Sequence, residues 1–455
     1  MSKLSNEALQ ASDKAHFLHP FSDFKEMGHN GTRLVSQAED IYIHSSEGKL
    51  LDGMSGLWCC NLGYSQQAIV DAVGKQLQEL PYYNSFFQCS HPPAIQLAEE
   101  LAKIAPDHIN NVFYTNSGSE GNDTVIRLVR RYWDLKGQPD KRVIISRKNA
   151  YHGSTVAAAS LGGMGFMHEQ FNVLPDIVHV DQPYWFGEGG DLTPDELGLK
   201  AAKSLEDKIL ELGVENVACF IAEPIQGAGG VIIPPVTYWP EVKRILNKYD
   251  ILFVSDEVIF GFGRTGKWFG CDYYDTKPDL INFAKAVTNG YQPLGGVMIA
   301  DKVADVLKAD GGEFGHGFTY SGHPAACAAA LATLKIIHEQ NIVENVDKVS
   351  GPYFSKRLQQ LADHPIVGEV RSVGMVGAIE LVKDKASRTR FSDNSDAGAA
   401  CRDASIANGL VMRATGDTMI IAPPLIMTLE QIDELFDKAK LALDDTQKVM
   451  TEKFG

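Results

Sequence analysis

Short runs of β-branched and aromatic residues alternate with longer stretches of helical period through the middle of the chain. The runs are Asn111–Thr115, Arg142–Ser146, Asp176–Val180, Val217–Ala222, Ile251–Ser255, Leu280–Ala284 and Gly295–Ala300. Unbroken apolar runs of this length predict strands buried on both faces, hence a largely parallel sheet. Between them, Asp123–Trp133 and Ala201–Leu212 carry helical patterns. The alternation predicts an open α/β sheet of seven strands with helices on both sides. In such sheets ligands sit outside the carboxyl ends of the strands, so chemistry is expected just after each run. Beyond about Ser321 the pattern turns to long helices, then to short strand-like pieces at Gly374–Val382 and Thr418–Ala422. That change predicts a smaller α+β domain, to which the first residues of the chain add strands and a helix. The expected segments are 1–60, joining the small domain; 61–325, the large domain; and 326–455, the small domain.

Composition narrows the function classes. The 455 residues suffice for a substantial core, and 44% hydrophobic with 22% charged content is that of an ordinary globular protein. A net charge of −16 argues against nucleic acid or anionic membranes as partners. Seven cysteines without a CxxC pair signal neither a zinc ribbon nor a thioredoxin-type site, so no metal is expected. They read as reduced, mostly buried thiols of a cytoplasmic protein. The start lacks the apolar core of a secretory signal, and the alanine-rich tract Ala325–Leu334 is far too short to span a membrane.

Polar groups cluster at the ends of the predicted strands. After the first run comes Asn116-Ser117-Gly118-Ser119-Glu120, a small-residue turn expected to lead into a helix at Asp123. Free N–H groups and a helix dipole suit a phosphate there, although the same residues also make an ordinary helix cap. Asp256 follows one run and Lys285 another, 29 residues later, which fits one strand–helix–strand step. A lysine at a buried strand end costs desolvation unless it is paired or used covalently, and an ion pair with a nearby acid is the plainer alternative. Gly261–Gly266 satisfies G-x-G-x-x-G, yet Lys-Trp-Phe-Gly-Cys-Asp follows it with no helical period. A dinucleotide fingerprint must join a strand to a helix, so this one is set aside.

The combination resembles the class III pyridoxal-phosphate-dependent aminotransferases, or ω-transaminases, over essentially the whole chain. The most specific part is D-E-V-x-x-G-F-G-R-T-G from Asp256, with its lysine 29 residues on. Thr115–Glu120, Tyr151-His152-Gly153, Glu223-Pro224-Ile225-Gln226-Gly227 and His316–Pro324 complete it. The resemblance implies the transferase fold type I and the cofactor pyridoxal 5′-phosphate. Lys285 would form the Schiff base with the cofactor aldehyde and then shuttle the proton between substrate and cofactor. Asp256 would hold the ring nitrogen protonated. Gly118 and Ser119 would cradle the phosphate, Tyr151 would stack on the ring with His152 beside it, and Val258 would pack the opposite face. Glu223 would stand behind the ring hydroxyl or serve structure alone. The resemblance further implies a homodimer whose neighbouring chain supplies Thr319 to the phosphate, with Phe318 alongside.

For the substrates, Arg413 matches the arginine that grips a carboxylate with its bidentate fork. The 2-oxoglutarate-using branches place a glutamate where this chain has Ala228 and a glutamine where it has Ile259. That departure leaves the pocket more apolar and resembles pyruvate-accepting ω-transaminases. Phe21, Leu57, Trp58 and Phe86 are expected to line the rest, with Trp58 foremost. An aromatic tunnel suits a long amine with its charge at the far end. The expected reaction moves an amino group from a terminal amine, a diamine such as putrescine first, to pyruvate. β-Alanine, taurine or another ω-amino acid as donor is an alternative, and a non-transaminase enzyme of the same fold, an aminomutase or decarboxylase, is a further one.

Overall fold

The computed structural model describes residues 4–454. Its central sheet is built from β1 (Ile109–Thr115), β2 (Val143–Arg147), β3 (Ile177–Val180), β4 (Val217–Ala222), β5 (Leu252–Asp256), β6 (Leu280–Phe283) and β7 (Gly295–Ala300). All seven runs of the sequence are strands, shifted at their ends by no more than two residues. The spatial order is β1-β7-β6-β5-β4-β2-β3. Every pairing from β6 across to β3 is parallel, whereas β7 runs antiparallel between β1 and β6. Alternation along each strand divides the core. Leu252 and Val254 of β5 pack with the helix Gly118–Leu135, while Ile251 and Phe253 pack with Ala201, Leu205, Tyr238 and Val242 on the other face.

Local chemistry sets the helix starts. Ser117 caps Gly118–Leu135, so that helix begins five residues before the expected Asp123. Gly118, Ser119 and Glu120, which read as part of a turn, are in its first turn, because the Ser117 side chain accepts from the Glu120 amide and offsets the weak helix propensity of Gly118 and Ser119. Thr193 and Glu196 form a reciprocal capping box on Pro194–Leu212, with proline at the first position.

The other end of the molecule joins the chain's two extremities. Val35–Glu39, Tyr42–Ser45 and Gly48–Asp52 form an antiparallel ribbon that Leu410–Val411 extends in parallel. A second four-stranded sheet contains Val367–Val373, Val376–Leu381, Thr418–Ile421 and Arg413–Thr415. The alanine-rich tract is a helix, Pro324–Glu339, packed on Gln67–Glu79, on Pro92–Ile104 and on the turn that follows β6. No helix of the described residues is long and apolar enough to cross a membrane. The seven cysteines are free thiols; Cys59 and Cys89 are half-exposed and the other five buried.

Candidate active site

A cavity of about 440 Å³ opens at the carboxyl ends of the strands. Its walls bring together Gly118, Ser119, Tyr151, His152, Glu223, Asp256, Val258, Ile259 and Lys285, all expected from sequence. They arrive from the ends of β1, β2, β4, β5 and β6, the strand-end placement that the parallel order demands.

At one end of the cavity lies the start of the helix Gly118–Leu135. Its first amides have no intrahelical acceptor, and the dipole there favours negative charge. Gly118 is fixed by close approach: a Cβ would stand 2.7 Å from Val258 Cγ2. Asn282 Nδ2 holds the Gly118 carbonyl at 3.0 Å, and Ser119 Oγ accepts from the Ser154 amide at 3.1 Å. Anion capture is what this end can do.

Asp256 ends β5 as a buried carboxylate. His152 Nδ1 lies 2.7 Å from its Oδ2, and Asn122 Nδ2 donates to the same oxygen at 2.9 Å. Asn122 also donates to the His152 carbonyl at 2.6 Å, and the Val258 amide reaches Asp256 Oδ1 at 3.2 Å. His152 Nε2 is buried without a partner among the described residues. Asp256 is therefore paired with His152, and Lys285 forms no ion pair with a nearby acid among the described residues, so the plainer alternative for that lysine is not what the structure shows. Glu223 accepts from the Tyr151 amide at 3.1 Å and the Gly227 amide at 2.8 Å. Burial raises its carboxyl above the ordinary range, against the pull of His152.

Lys285 opens a single turn, Lys285–Thr288, directly after β6 and Ala284. Its φ of +51° lies in the left-handed region, a strained setting for a side chain of this size. Desolvation lowers the ammonium below the ordinary lysine value, opposed by Cys59, Asp256 and Glu223 and assisted by Arg413. A half-buried amine of lowered basicity, facing a cavity, is equipped for attack on a carbonyl carbon.

The expected substrate residues divide. Ile259 lines the cavity, whereas Ala228 is buried outside the lining, its carbonyl accepting from Thr415 Oγ1 at 3.3 Å. Trp58 stands behind the lining: it is 1% exposed and packs with Met54, Ile225, Val231 and Ile259. Its neighbour Cys59 takes the place at the wall. Leu57 and Phe21 are 57% and 67% exposed, and the Phe21 ring meets Tyr151 edge-on at 6.3 Å. Half-buried Arg413 makes no ion pair among the described residues; burial lowers its titration, relieved by Tyr151. Phe86, Phe318 and Thr319 lie outside the cavity, on two loops joined by the Tyr82 hydroxyl, which donates to the Thr319 carbonyl at 2.7 Å.

Sequence reasoning missed Asn122, Asn282, Cys59, Thr288 and Gln292. Asn122 sits one helical turn after Gly118, the one spacing that placed it on the cavity side. Nothing local marked the others.

Comparison with known proteins agrees with this geometry. The family model described as aminotransferase class-III matches residues 25–443. The chain is 57% identical to the putrescine–pyruvate aminotransferase of Pseudomonas aeruginosa, over 96% of both chains. It is 44% identical to the chloroplastic γ-aminobutyrate transaminase 3 of Solanum lycopersicum, over 92% of this chain and 82% of that one. Among solved structures, the ω-transaminase of Pseudomonas jessenii in complex with PMP superposes with a TM-score of 0.94 at 39% identity, covering 97% of this chain and 99% of that one.

Proposed function

Because the chain belongs to the class III aminotransferases, we propose that it moves the amino group of a terminal amine, putrescine before others, to pyruvate. The products are alanine and an aminoaldehyde. The observation that carries this reading is the 57% identity, spread over 96% of both chains, to a putrescine–pyruvate aminotransferase. The pocket supports it. Arg413 makes no ion pair among the described residues, and Ile259 leaves apolar wall, with Ala228 apolar as well, where a 2-oxoglutarate user would carry polar groups that lock that arginine.

The cofactor is pyridoxal 5′-phosphate, and the residues present fit it. The Gly118 cradle that a Cβ would fill, the free amides of its helix, the carboxylate of Asp256 and the buried, unpartnered His152 Nε2 all converge on one cavity. Bound there, the cofactor supplies an aldehyde that takes amines covalently and a ring that accepts an electron pair. Gly118 and Ser119 would receive its phosphate, Tyr151 and Val258 would flank its ring, and Glu223 would stand near its hydroxyl. Asp256, oriented by His152 and Asn122, would keep the ring nitrogen protonated. Lys285 Nζ would hold the aldehyde carbon between turnovers. When not so bound, the same nitrogen would be the base that takes the proton from substrate Cα and the acid that gives it back. Pyruvate's carboxylate would be gripped by Arg413, which swings aside for a diamine. Leu57, Trp58, Phe21 and Phe86 would shape the amine arm, Trp58 by backing Ile259.

The same reading makes the protein a cytoplasmic homodimer in which Thr319 and Phe318 serve the neighbouring copy's phosphate. It divides the chain at 1–60, 61–325 and 326–455. The test is a half-reaction spectrum of the holoenzyme. Putrescine should bleach the visible band of the lysine-held cofactor, and pyruvate should restore it where 2-oxoglutarate does not. Faster bleaching by β-alanine or taurine would overturn the diamine as donor. No restoration by pyruvate would overturn the acceptor.

A further inference from the structure

Three residues of four in one short turn have left-handed backbones: Ser55 at φ +49°, Gly56 at +67° and Trp58 at +67°. Such conformations persist only where the surroundings over-determine them. Here the determinant is Asp52, the last residue of the strand Gly48–Asp52 and only 1% exposed. Its Oδ1 accepts from the Met54 amide at 2.9 Å, and its Oδ2 accepts from the Gly56 amide and, at 2.6 Å, from the Tyr64 hydroxyl. Both oxygens of a buried carboxylate are thus committed to the turn and to the residue that closes it. Charge-assisted hydrogen bonds of this kind are stronger than neutral ones and direction-specific.

The turn is part of the cavity. Cys59, next in the chain, lines it beside Lys285, and its Cβ lies 3.2 Å from where Gly290 would carry one. Trp58 belongs to the same buried hydrophobic cluster as Ile259, which lines the cavity. Ser55 is tied at its far side, donating to the Ala422 carbonyl at 2.8 Å and accepting from Arg264 at 3.2 Å. Asn289, four residues after Lys285, holds the Leu62 amide at 2.7 Å and the Gly63 carbonyl at 2.8 Å. A shift of the turn therefore moves one wall while the strand ends opposite stay in place.

We infer that Asp52 is a positioning residue for the amine arm of the substrate: its carboxylate fixes the Ser55–Trp58 turn, and through it the wall formed by Cys59 and Ile259. The inference rests on the proposed amine–pyruvate reaction. In that reaction the amine carries a longer arm than the methyl group of pyruvate, so it is the arm expected to meet a displaced wall.

The test uses the holoenzyme with Asp52→Asn and, as the milder change, Tyr64→Phe, which deletes one hydrogen bond and leaves the carboxylate. Asparagine's amide would point N–H groups at N–H donors, so the turn should loosen in a folded protein. Alkylation of Cys59 by iodoacetamide, corrected with Cys59→Ser as background, should quicken about tenfold in Asp52→Asn and less in Tyr64→Phe, as expected for roughly 1.4 kcal/mol of lost order. KM for the amine should rise by about the same factor, with kcat and the pyruvate KM changed less than about threefold. An unchanged alkylation rate in both variants would overturn the inference. So would kcat and both KM values worsening together, the mark of general destabilisation. A wild-type enzyme that turns over no amine would sink the proposed reaction, yet the alkylation rates would still decide the role of Asp52.

Discussion

The strand-end platform and the two loops at 81–91 and 311–322 answer different demands. On the platform the buried carboxylates have partners within the chain: Asp256 with His152 and Asn122, and Glu223 with two amides, while Asn282 holds the Gly118 carbonyl. The loops bind each other, through Tyr82 to Thr319 and Ser85 to Ser321, and then turn their apolar side chains out. Phe87 is 89% exposed, and Tyr83 and Tyr320 are more than half exposed. Large aromatic side chains left in water on two joined loops suit a surface that a partner covers. The chemistry is thus built on rigid, buried sheet ends, while the loops bearing Thr319 fit the proposed association of two copies.

The sharpest test of that contrast is Lys285→Ala. Turnover should fall by about 10⁴-fold or more, since both the covalent bond and the proton carrier are lost. The cofactor should still co-purify, held without a covalent bond by contacts that the substitution leaves intact. Assays on protein free of wild-type enzyme would break the claim by showing activity within tenfold of normal.

A smaller effect is expected on the other side. Phe87→Asp places a charge in the exposed aromatic patch and should raise the dimer dissociation constant by about 10- to 100-fold, in the range of an interface anchor losing 1.4–3 kcal/mol. Sedimentation should show dissociation on dilution, and specific activity should fall with it. Full activity in a proven monomer would show that the platform needs no loop from a neighbour.

The smallest effect concerns pH. Desolvation lowers the Lys285 ammonium from its ordinary 10.5, so the neutral amine is present at lower pH than in a free lysine. Recapture of added cofactor by the apoenzyme should climb with pH and level off below 10.5, because only the neutral amine attacks. A rate still climbing through that value would mean that burial does not govern this nitrogen.

The comparison also marks where sequence reading was sufficient. Strand identity is local: seven apolar runs of five or six residues, bounded by turn residues, became the seven strands of the central sheet. The placement of Asp256 and Lys285 followed, because parallel order forces strand ends to one edge. The family motif then named the phosphate turn. The register of side chains at long range was not legible. Trp58 was expected on the pocket wall, and the structure puts it one layer behind, since its left-handed backbone turns the ring into the cluster of Met54, Ile225 and Val231. Arg264, inside the glycine-rich motif, lies outside the cavity lining. It is a buried strut donating to the carbonyls of Met375 and Pro423 and to the side chains of Ser55 and Asn61.

The sequence by itself determined the strands of the sheet, its chemical edge and the pair, Asp256 and Lys285, to which the proposed function gives the reaction, since periodicity and motif spacing act within tens of residues. Tertiary structure alone decided that Asp256 pairs with His152 rather than Lys285, that Asn122 completes that pair and that Asp52 governs the turn at the cavity wall. Those contacts join atoms whose meeting depends on how helices and loops pack over the sheet. A buried polar group there takes whichever partner packing brings within hydrogen-bond reach, because leaving it unpaired costs about 1–3 kcal/mol.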